Sequence, residues 1–243
     1  MTKRVTRELI KRLLGRPLRA IADRLGYEIV RKSPIAKRDG YQLYQYRRAD
    51  GTFDCERYIQ VQTAGNKEKL GQVWAIEENI AFLADYITAH LGPVKFGLCH
   101  GTRQGKEQEW FRKYLHCDVL GTEISDTAEQ FPNTIRWDFH EVKPEWIGAV
   151  DFIYSNSLDH SYDPESCLKT WMSCLRKGGL CILEHSDASE ISTELDPFAV
   201  ENALLPYLIL TWGKGDFCVR ELIDVPVKIE GLRYVRFLVI EKL

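Results

Sequence analysis

Apolar and polar positions along the chain follow two regimes, an irregular one up to about residue 70 and a regular one beyond it. Val5, Leu9, Ile10, Leu13 and Leu14 recur at helical spacing with Lys and Arg between them, and Gly15 ends the pattern. Pro17 suits the start of a second short helix, with Leu18, Ile21, Ala22 and Leu25 inward and Gly26 as its stop. Residues 41–62 read as a β-hairpin: Tyr41, Leu43 and Tyr44 lead into the turn Ala49-Asp50-Gly51-Thr52, and Tyr58, Ile59 and Val61 return. An amphipathic helix is expected over 75–90, with Ile76, Ile80, Leu83, Ile87 and Leu91 on its inner face. Short apolar strands follow at 94–99, 119–123, 135–138, 152–156 and 180–185. Helices at 105–115, with Trp110, Phe111, Tyr114 and Leu115 inward, and at 164–175 lie between them. Two strands, 225–227 and 232–240, joined by a Glu230-Gly231 turn, close the pattern. Strand–helix alternation at this spacing implies right-handed crossovers and a parallel sheet covered on both faces, with the last hairpin antiparallel at one edge. The expected organisation is a basic helical arm and β-hairpin cap over 1–70, in which no chemistry is read, and one α/β domain over 71–243.

Composition changes this picture in one respect. The 243 residues, 44% hydrophobic and 28% charged, suit one large domain, or an ordinary domain with an appended element. The net charge of −2 conceals an asymmetry: residues 1–38 carry twelve Lys and Arg against three acids, and the remainder 21 against 32. A basic arm on an acidic body suggests an anionic partner such as a membrane surface or a phosphorylated carrier; a merely solvated basic helix explains it equally well. The seven cysteines form no C-x-x-C pair, which points to reduced thiols in the cytoplasm. Charges interrupt the first thirty residues too often for a secretory signal. The longest uncharged run, 202–213, is well short of the roughly 20 residues that span a bilayer, so a soluble protein is expected.

Ligands of open parallel sheets bind beyond the carboxyl ends of the strands, where the strand order reverses, so each strand end is a place to look for chemistry. The first ends in Gly97-Leu98-Cys99-His100-Gly101-Thr102-Arg103-Gln104-Gly105, a tight turn that lets backbone N–H groups approach an anion. The second ends in Gly121-Thr122-Glu123-Ile124; Glu123 follows Gly101 by 22 positions, the distance at which a carboxylate accepts both hydroxyls of a ribose. In the third, Trp137-Asp138-Phe139, an acid able to accept from an adenine amino group adjoins a ring able to pack on the base. The fourth is the run Asp151-Phe152-Ile153-Tyr154-Ser155-Asn156-Ser157-Leu158-Asp159-His160. The fifth follows Leu175-Arg176-Lys177-Gly178-Gly179 and ends in Glu184-His185-Ser186-Asp187.

In this order the five features resemble those of class I S-adenosylmethionine-dependent methyltransferases. The resemblance covers about residues 75–243. It implies a doubly wound, mostly parallel seven-stranded sheet, the Rossmann-like methyltransferase fold, with S-adenosylmethionine as cofactor. It also implies cofactor contacts from Cys99, His100, Gly101, Thr102 and Arg103 after the first strand and from Glu123 and Ile124 after the second. Asp138 and Phe139 would follow from the third strand, and Asn156 and Ser157 from the fourth. The family's loop is usually acid-x-Gly-x-Gly-x-Gly. Here it reads Gly97-x-Cys99-x-Gly101-x-Arg103, with the middle glycine kept and the acid missing, which leaves open how the methionine end is held. Arg103 is one candidate, through a charge-assisted contact with the cofactor's carboxylate.

Methyl transfer from a sulfonium is an in-line displacement, so the protein's task is alignment and exclusion of water. A hydroxyl acceptor also needs a base. Neighbouring fourth and fifth strands bring Asp159 and His160 near Glu184, His185 and Asp187, with His185 the first candidate base and His160 the second. The same five groups could instead hold a divalent cation, but no metal is the favoured expectation. The arm, with Lys11-Arg12-Leu13-Leu14 and Leu25-Gly26-Tyr27-Glu28-Ile29-Val30-Arg31-Lys32, resembles bacterial proteins of surface-polysaccharide pathways. The expected acceptor is therefore a hydroxyl of a sugar or other small molecule in a surface-glycan pathway, with the arm on the inner face of the membrane and no nucleic-acid partner. The alternatives are an inactive binding protein of the same fold and another nucleotide-dependent enzyme such as a dehydrogenase. Against the dehydrogenase stand the missing Gly-x-Gly-x-x-Gly and the Leu175–Gly179 turn.

Overall fold

Apolar runs that alternate between two buried faces build a seven-stranded sheet. The computed structural model describes residues 34–38 and 40–243, and the chain divides into units at Pro34/Ile35. The two short helices expected before residue 26 lie outside the described residues. In chain order the elements of Ile35–Leu243 begin with β1 (Ile35–Arg38), β2 (Tyr41–Tyr44), α1 (Cys55–Glu68) and α2 (Glu77–Leu91). Then come β3 (Phe96–His100), α3 (Lys106–Leu115), β4 (Asp118–Glu123), β5 (Thr134–Arg136) and β6 (Val150–Ser155). The chain continues with α4 (Pro164–Cys174), β7 (Leu175–Ser186), β8 (Phe198–Val200) and α5 (Leu205–Gly213), and ends with β9 (Phe217–Asp224) and β10 (Val235–Lys242).

The large sheet has the order β5-β4-β3-β6-β7-β10-β9, parallel except for β10, which pairs antiparallel with both β7 and β9. Successive side chains enter opposite layers. Leu98, Ile153, Cys181, Leu183 and Leu238 face a core with Trp171 of α4 and Ile209 of α5. Cys99, Phe152, Tyr154, Ile182 and Phe237 face a second core with Ile80, Leu83 and Ile87 of α2 and Phe111 of α3. Both faces being covered, the strands read as continuous apolar runs. The chain winds outward from β3 to β5 and returns to β6, so the order reverses between β3 and β6, and the crevice opens beyond His100 and Ser155.

Three expectations are corrected. The hairpin over 41–62 keeps its turn, with Gly51 at φ 88°, but the returning segment is α1. Asp54 caps it by accepting from the Arg57 N–H, and the buried positions Tyr58, Gln62, Gly65 and Asn66 fall at helical spacing. β2 pairs instead with β1 and β8 in a separate three-stranded sheet. Residue 70 lies inside the unit Ile35–Leu243. The closing hairpin is β9 with β10; the 225–227 run is tied to α2, where Asn79 Nδ2 donates to Val227 O and Asn79 Oδ1 accepts from Val227 N, both at 2.8 Å. Finally, Tyr114 is exposed and donates to Glu77, and α3 buries Glu107 and Gln108 beside Phe111.

Four of the seven cysteines are buried and all are unbridged. Among the described residues, no helix is long and apolar enough to cross a membrane.

Candidate active site

Backbone geometry sets the register of the loop after β3. Gly101, Arg103 and Gly105 all adopt left-handed conformations, with φ of 77°, 27° and 74°. Three such positions two residues apart place the loop's glycine pattern at 101, 103 and 105, two residues later than the sequence reading. On the resemblance to the methyltransferase loop, this spacing would put the missing acid at Cys99 and Arg103 in the place of the middle glycine. Gly101 is required twice over: beyond its positive φ, an added Cβ would lie 2.5 Å from Ser157. The N–H groups of Gly101 and Thr102 both donate to Thr122 O, at 2.9 and 3.2 Å, so these two serve the turn itself.

Beyond β4 and β5 lies a cavity of about 60 Å³. Glu123, Ile124, Asp138 and Phe139 line one side, and Tyr58, Gln62 and Asn66 of α1 the other. Glu123 is buried and accepts from the Ser125 N–H at 3.0 Å; burial pushes its carboxyl up, opposed chiefly by that N–H. Asp138 Oδ1 is bonded to the His140 N–H at 3.0 Å and to His140 Nδ1 at 2.7 Å, and the imidazole stacks on Tyr162 at 3.7 Å.

A larger cavity of about 230 Å³ shares Lys69, Gly101, Arg103, Ser157 and His160 with the first, so the two adjoin. Trp74, Thr102, Glu107, Asn156, Asp159, Glu184 and His185 complete its wall. Six buried side-chain atoms of the described residues have no hydrogen-bond partner, and four of them belong to residues that line this cavity: Thr102 Oγ1, Asn156 Nδ2, Asp159 Oδ1 and His185 Nε2. Unsatisfied polar atoms are costly to bury, so their concentration marks a place for a polar ligand. Burial pulls the His185 imidazole below its ordinary value, outweighing Asp159 and Glu190, so the ring is neutral near pH 7. His160 spends Nδ1 on Leu195 O at 3.0 Å, with Asp196 at 3.6 Å. Asp159 Oδ2 accepts from Ser189 at 2.9 Å. Glu184 accepts from Trp74 Nε1 at 2.9 Å and from the Tyr154 hydroxyl at 2.8 Å.

No protein-family model matches the chain, and no curated protein matches it. Solved structures do. The 1,6-didemethyltoxoflavin-N1-methyltransferase of Burkholderia thailandensis, crystallised with 1,6-didemethyltoxoflavin and S-adenosylhomocysteine, superposes with a TM-score of 0.61 at 14% identity, covering 86% of this chain and 99% of that one. Magnesium protoporphyrin IX methyltransferase from Synechocystis PCC 6803, with bound S-adenosylmethionine, gives 0.55 at 11% identity over 79% of this chain and all of that one. The N-methyltransferase NodS from Bradyrhizobium japonicum WM9, in complex with S-adenosylhomocysteine, gives 0.54 at 12% identity over 74% and 97%. The chain has the class I methyltransferase fold. An antiparallel β10 between β7 and β9 also sets this sheet apart from the all-parallel dinucleotide-binding order.

Within this methyltransferase fold, most of the residues singled out from sequence meet in the cleft. Cys99 and His100 do not line it. Cys99 is fully buried on the α2–α3 side; His100 bonds Thr122 Oγ1 at 2.8 Å, stacks on Trp171 at 4.7 Å and is pushed down to about 3 by burial. Asp187 is engaged by Arg233, whose N–H and Nε donate to it at 3.1 and 3.0 Å. Among the described residues, no three His, Cys, Asp or Glu side chains are placed to hold a metal ion. The sequence reading missed the α1 wall, Trp74 and Glu107. Their signal was polar residues, Gln62, Asn66 and Glu107, at buried helical positions. One consequence is testable by chemical denaturation. Gly101→Ala should cost about 1–2 kcal/mol in left-handed backbone strain alone, with the overlap on Ser157 added. Gly148→Ala, at φ 67° with open space around it, should show the backbone cost only.

Proposed function

We propose that this chain is an S-adenosylmethionine-dependent methyltransferase acting on a hydroxyl of a sugar or other small molecule, with His185 as the base. The observation that carries the reading is a neutral imidazole with an unpartnered Nε2 on a residue, His185, that lines the cavity adjoining the Glu123–Asp138 pocket. The residues present fit the cofactor. Glu123 would take the ribose diol and Asp138 the adenine amino group, with Ile124 and Phe139 against the base. Gly101, Thr102, Arg103, Asn156 and Ser157 line the part of the cleft where the amino-acid end would lie. Bound S-adenosylmethionine supplies an electrophilic methyl group. The chain's own work is to fix the acceptor in line with it, exclude water and accept the hydroxyl proton at His185 Nε2. His160, with Nδ1 committed to a carbonyl, presents its other nitrogen as a secondary acceptor, and Asp159 Oδ1 lies unpartnered on the same wall.

A surface-glycan acceptor, a cytoplasmic setting and contact of the basic arm with an anionic membrane belong to the same proposal and rest on the charge of residues 1–38. Calorimetry with S-adenosylmethionine, S-adenosylhomocysteine and NAD tests the core of it. The first two should bind and NAD should not; failure of both adenosyl ligands to bind removes the reading. In Glu123→Ala, loss of one charge-assisted hydrogen bond of about 1.5–3 kcal/mol should weaken S-adenosylhomocysteine roughly 10- to 150-fold. Cys99 and Arg103 in the loop favour one second reading, a binding protein without turnover. Tight binding with no product release on any acceptor would select it.

A further inference from the structure

Glu107 lies in the first turn of α3 with 6% of its surface exposed, on the wall of the larger cavity beside Thr102, Arg103 and Asn156. Its carboxylate is close enough to Cys99 for its charge to push the thiol up. Cys99 occupies the place where the methyltransferase loop ordinarily carries an acid. Helix α3 therefore brings a carboxylate to the point from which strand β3 has lost one.

A buried carboxylate needs a partner, and Arg103, whose charge favours the Glu107 carboxylate, forms no salt bridge with it. Among the described residues no salt bridge reaches it. The groups that face it are Glu184 of β7, Tyr154 of β6, Cys99 of β3, Arg103 of the loop and Asn156 after β6, whose amide favours its charged form. Glu184 has the same charge and both its oxygens already accept from protein donors. Arg103 donates Nη1 to Gln72 O at 3.0 Å. Thr102, only 2% exposed and a lining residue of the same cavity, leaves its Oγ1 without a partner. Lys69, Arg103 and Lys106 line the cavity as well, so a zwitterion entering it meets opposite charge at both ends.

We infer that Glu107 binds the ammonium group of the cofactor's amino-acid end, taking over from α3 the role that the loop's acid would have had on β3. The inference rests on the methyltransferase reading. It makes Glu107 a binding residue, specific for ligands that carry the amino-acid end.

Two nucleosides separate this inference from the reading beneath it: S-adenosylhomocysteine, with the amino-acid end, and 5′-methylthioadenosine, without it. Both are titrated calorimetrically into the full chain and into Glu107→Gln at pH 6 and pH 8. For the wild type, burial holds the carboxyl at about 7, so S-adenosylhomocysteine should bind roughly tenfold more weakly at pH 6 than at pH 8. Glu107→Gln should lose at least that factor at pH 8 and show a flattened pH dependence. Glu107→Asp should recover part of the affinity. Methylthioadenosine should bind both proteins equally at both pH values. If S-adenosylhomocysteine keeps its wild-type affinity and pH slope in Glu107→Gln, the inference is wrong while the methyltransferase reading stands. If neither nucleoside binds the wild type, both fall together.

Discussion

His185→Gln is expected to slow methyl transfer to a hydroxyl acceptor by about 10²- to 10⁴-fold, the range a positioned general base contributes. The size follows from where the imidazole sits. His185 is the penultimate residue of the buried run of β7, 8% exposed, lines the larger cavity and keeps Nε2 free of any protein partner. A hydroxyl is a poor nucleophile until its proton leaves, and a glutamine amide has no basic nitrogen to receive it. The substitution preserves size and polarity and His185 does not line the Glu123–Asp138 cavity, so S-adenosylhomocysteine affinity should change far less than turnover. Its pH signature is separately readable. Burial lowers the imidazole's pKa, with Asp159 and Glu190 working against it, so wild-type turnover should hold through its ordinary value of about 6.5 and fall only at more acidic pH. The assay is release of S-adenosylhomocysteine on a panel of hydroxyl-bearing acceptors. Unchanged turnover and an unchanged acid limb in His185→Gln would move the proton's destination to His160 or Asp159.

The contrast between what the sequence disclosed and what it hid follows the same cavity. The sheet and its crevice were readable because both layers are apolar: runs such as Phe152-Ile153-Tyr154 and Cys181-Ile182-Leu183 send alternate side chains into two dry cores. Glu123 and Asp138 were readable because strand ends are fixed by those runs. α1 was not. Its buried positions include Gln62, Gly65 and Asn66, which face a ligand cavity and so carry no hydrophobic period. The half-buried Ile59 and Val61, next to Tyr58, mimic a strand instead. α3 misled in the same manner: Glu107 and Gln108 hold its inner face, and Tyr114, aromatic but outward, donates to Glu77. At the loop, left-handed backbone at Arg103 broke the glycine spelling without breaking the turn. Hydrophobic periodicity locates cores, and it fails where a helix turns its buried face to a binding site.

Glu107→Gln is expected to make the ligand-free protein more stable at pH 8 by on the order of 3 kcal/mol. Burial raises the carboxyl from its ordinary 4.5 to about 7, with Glu184 adding to the rise and Asn156 and Arg103 opposing it. The sign follows directly. Between those two values the folded protein keeps a proton that the unfolded chain releases, so wild-type stability is greatest at low pH and declines as pH climbs through 7. Each pKa unit is worth about 1.4 kcal/mol, and the amide, which does not titrate, escapes the decline. Glu123 and Glu184 are also raised by burial, but both remain in the variant, so the difference between the two urea curves isolates Glu107. Wild type and variant should therefore coincide more closely at pH 5 and diverge by pH 8. Saturating S-adenosylhomocysteine should narrow or reverse the gap, because a ligand that binds the wild type more tightly stabilises it more. A carboxylate kept where it weakens the empty fold is accounted for by the cation it meets when the cleft is filled. Equal stability of the two proteins at pH 8 would mean that Glu107 is already satisfied by the chain itself, and the case for a ligand ammonium would lose its energetic footing.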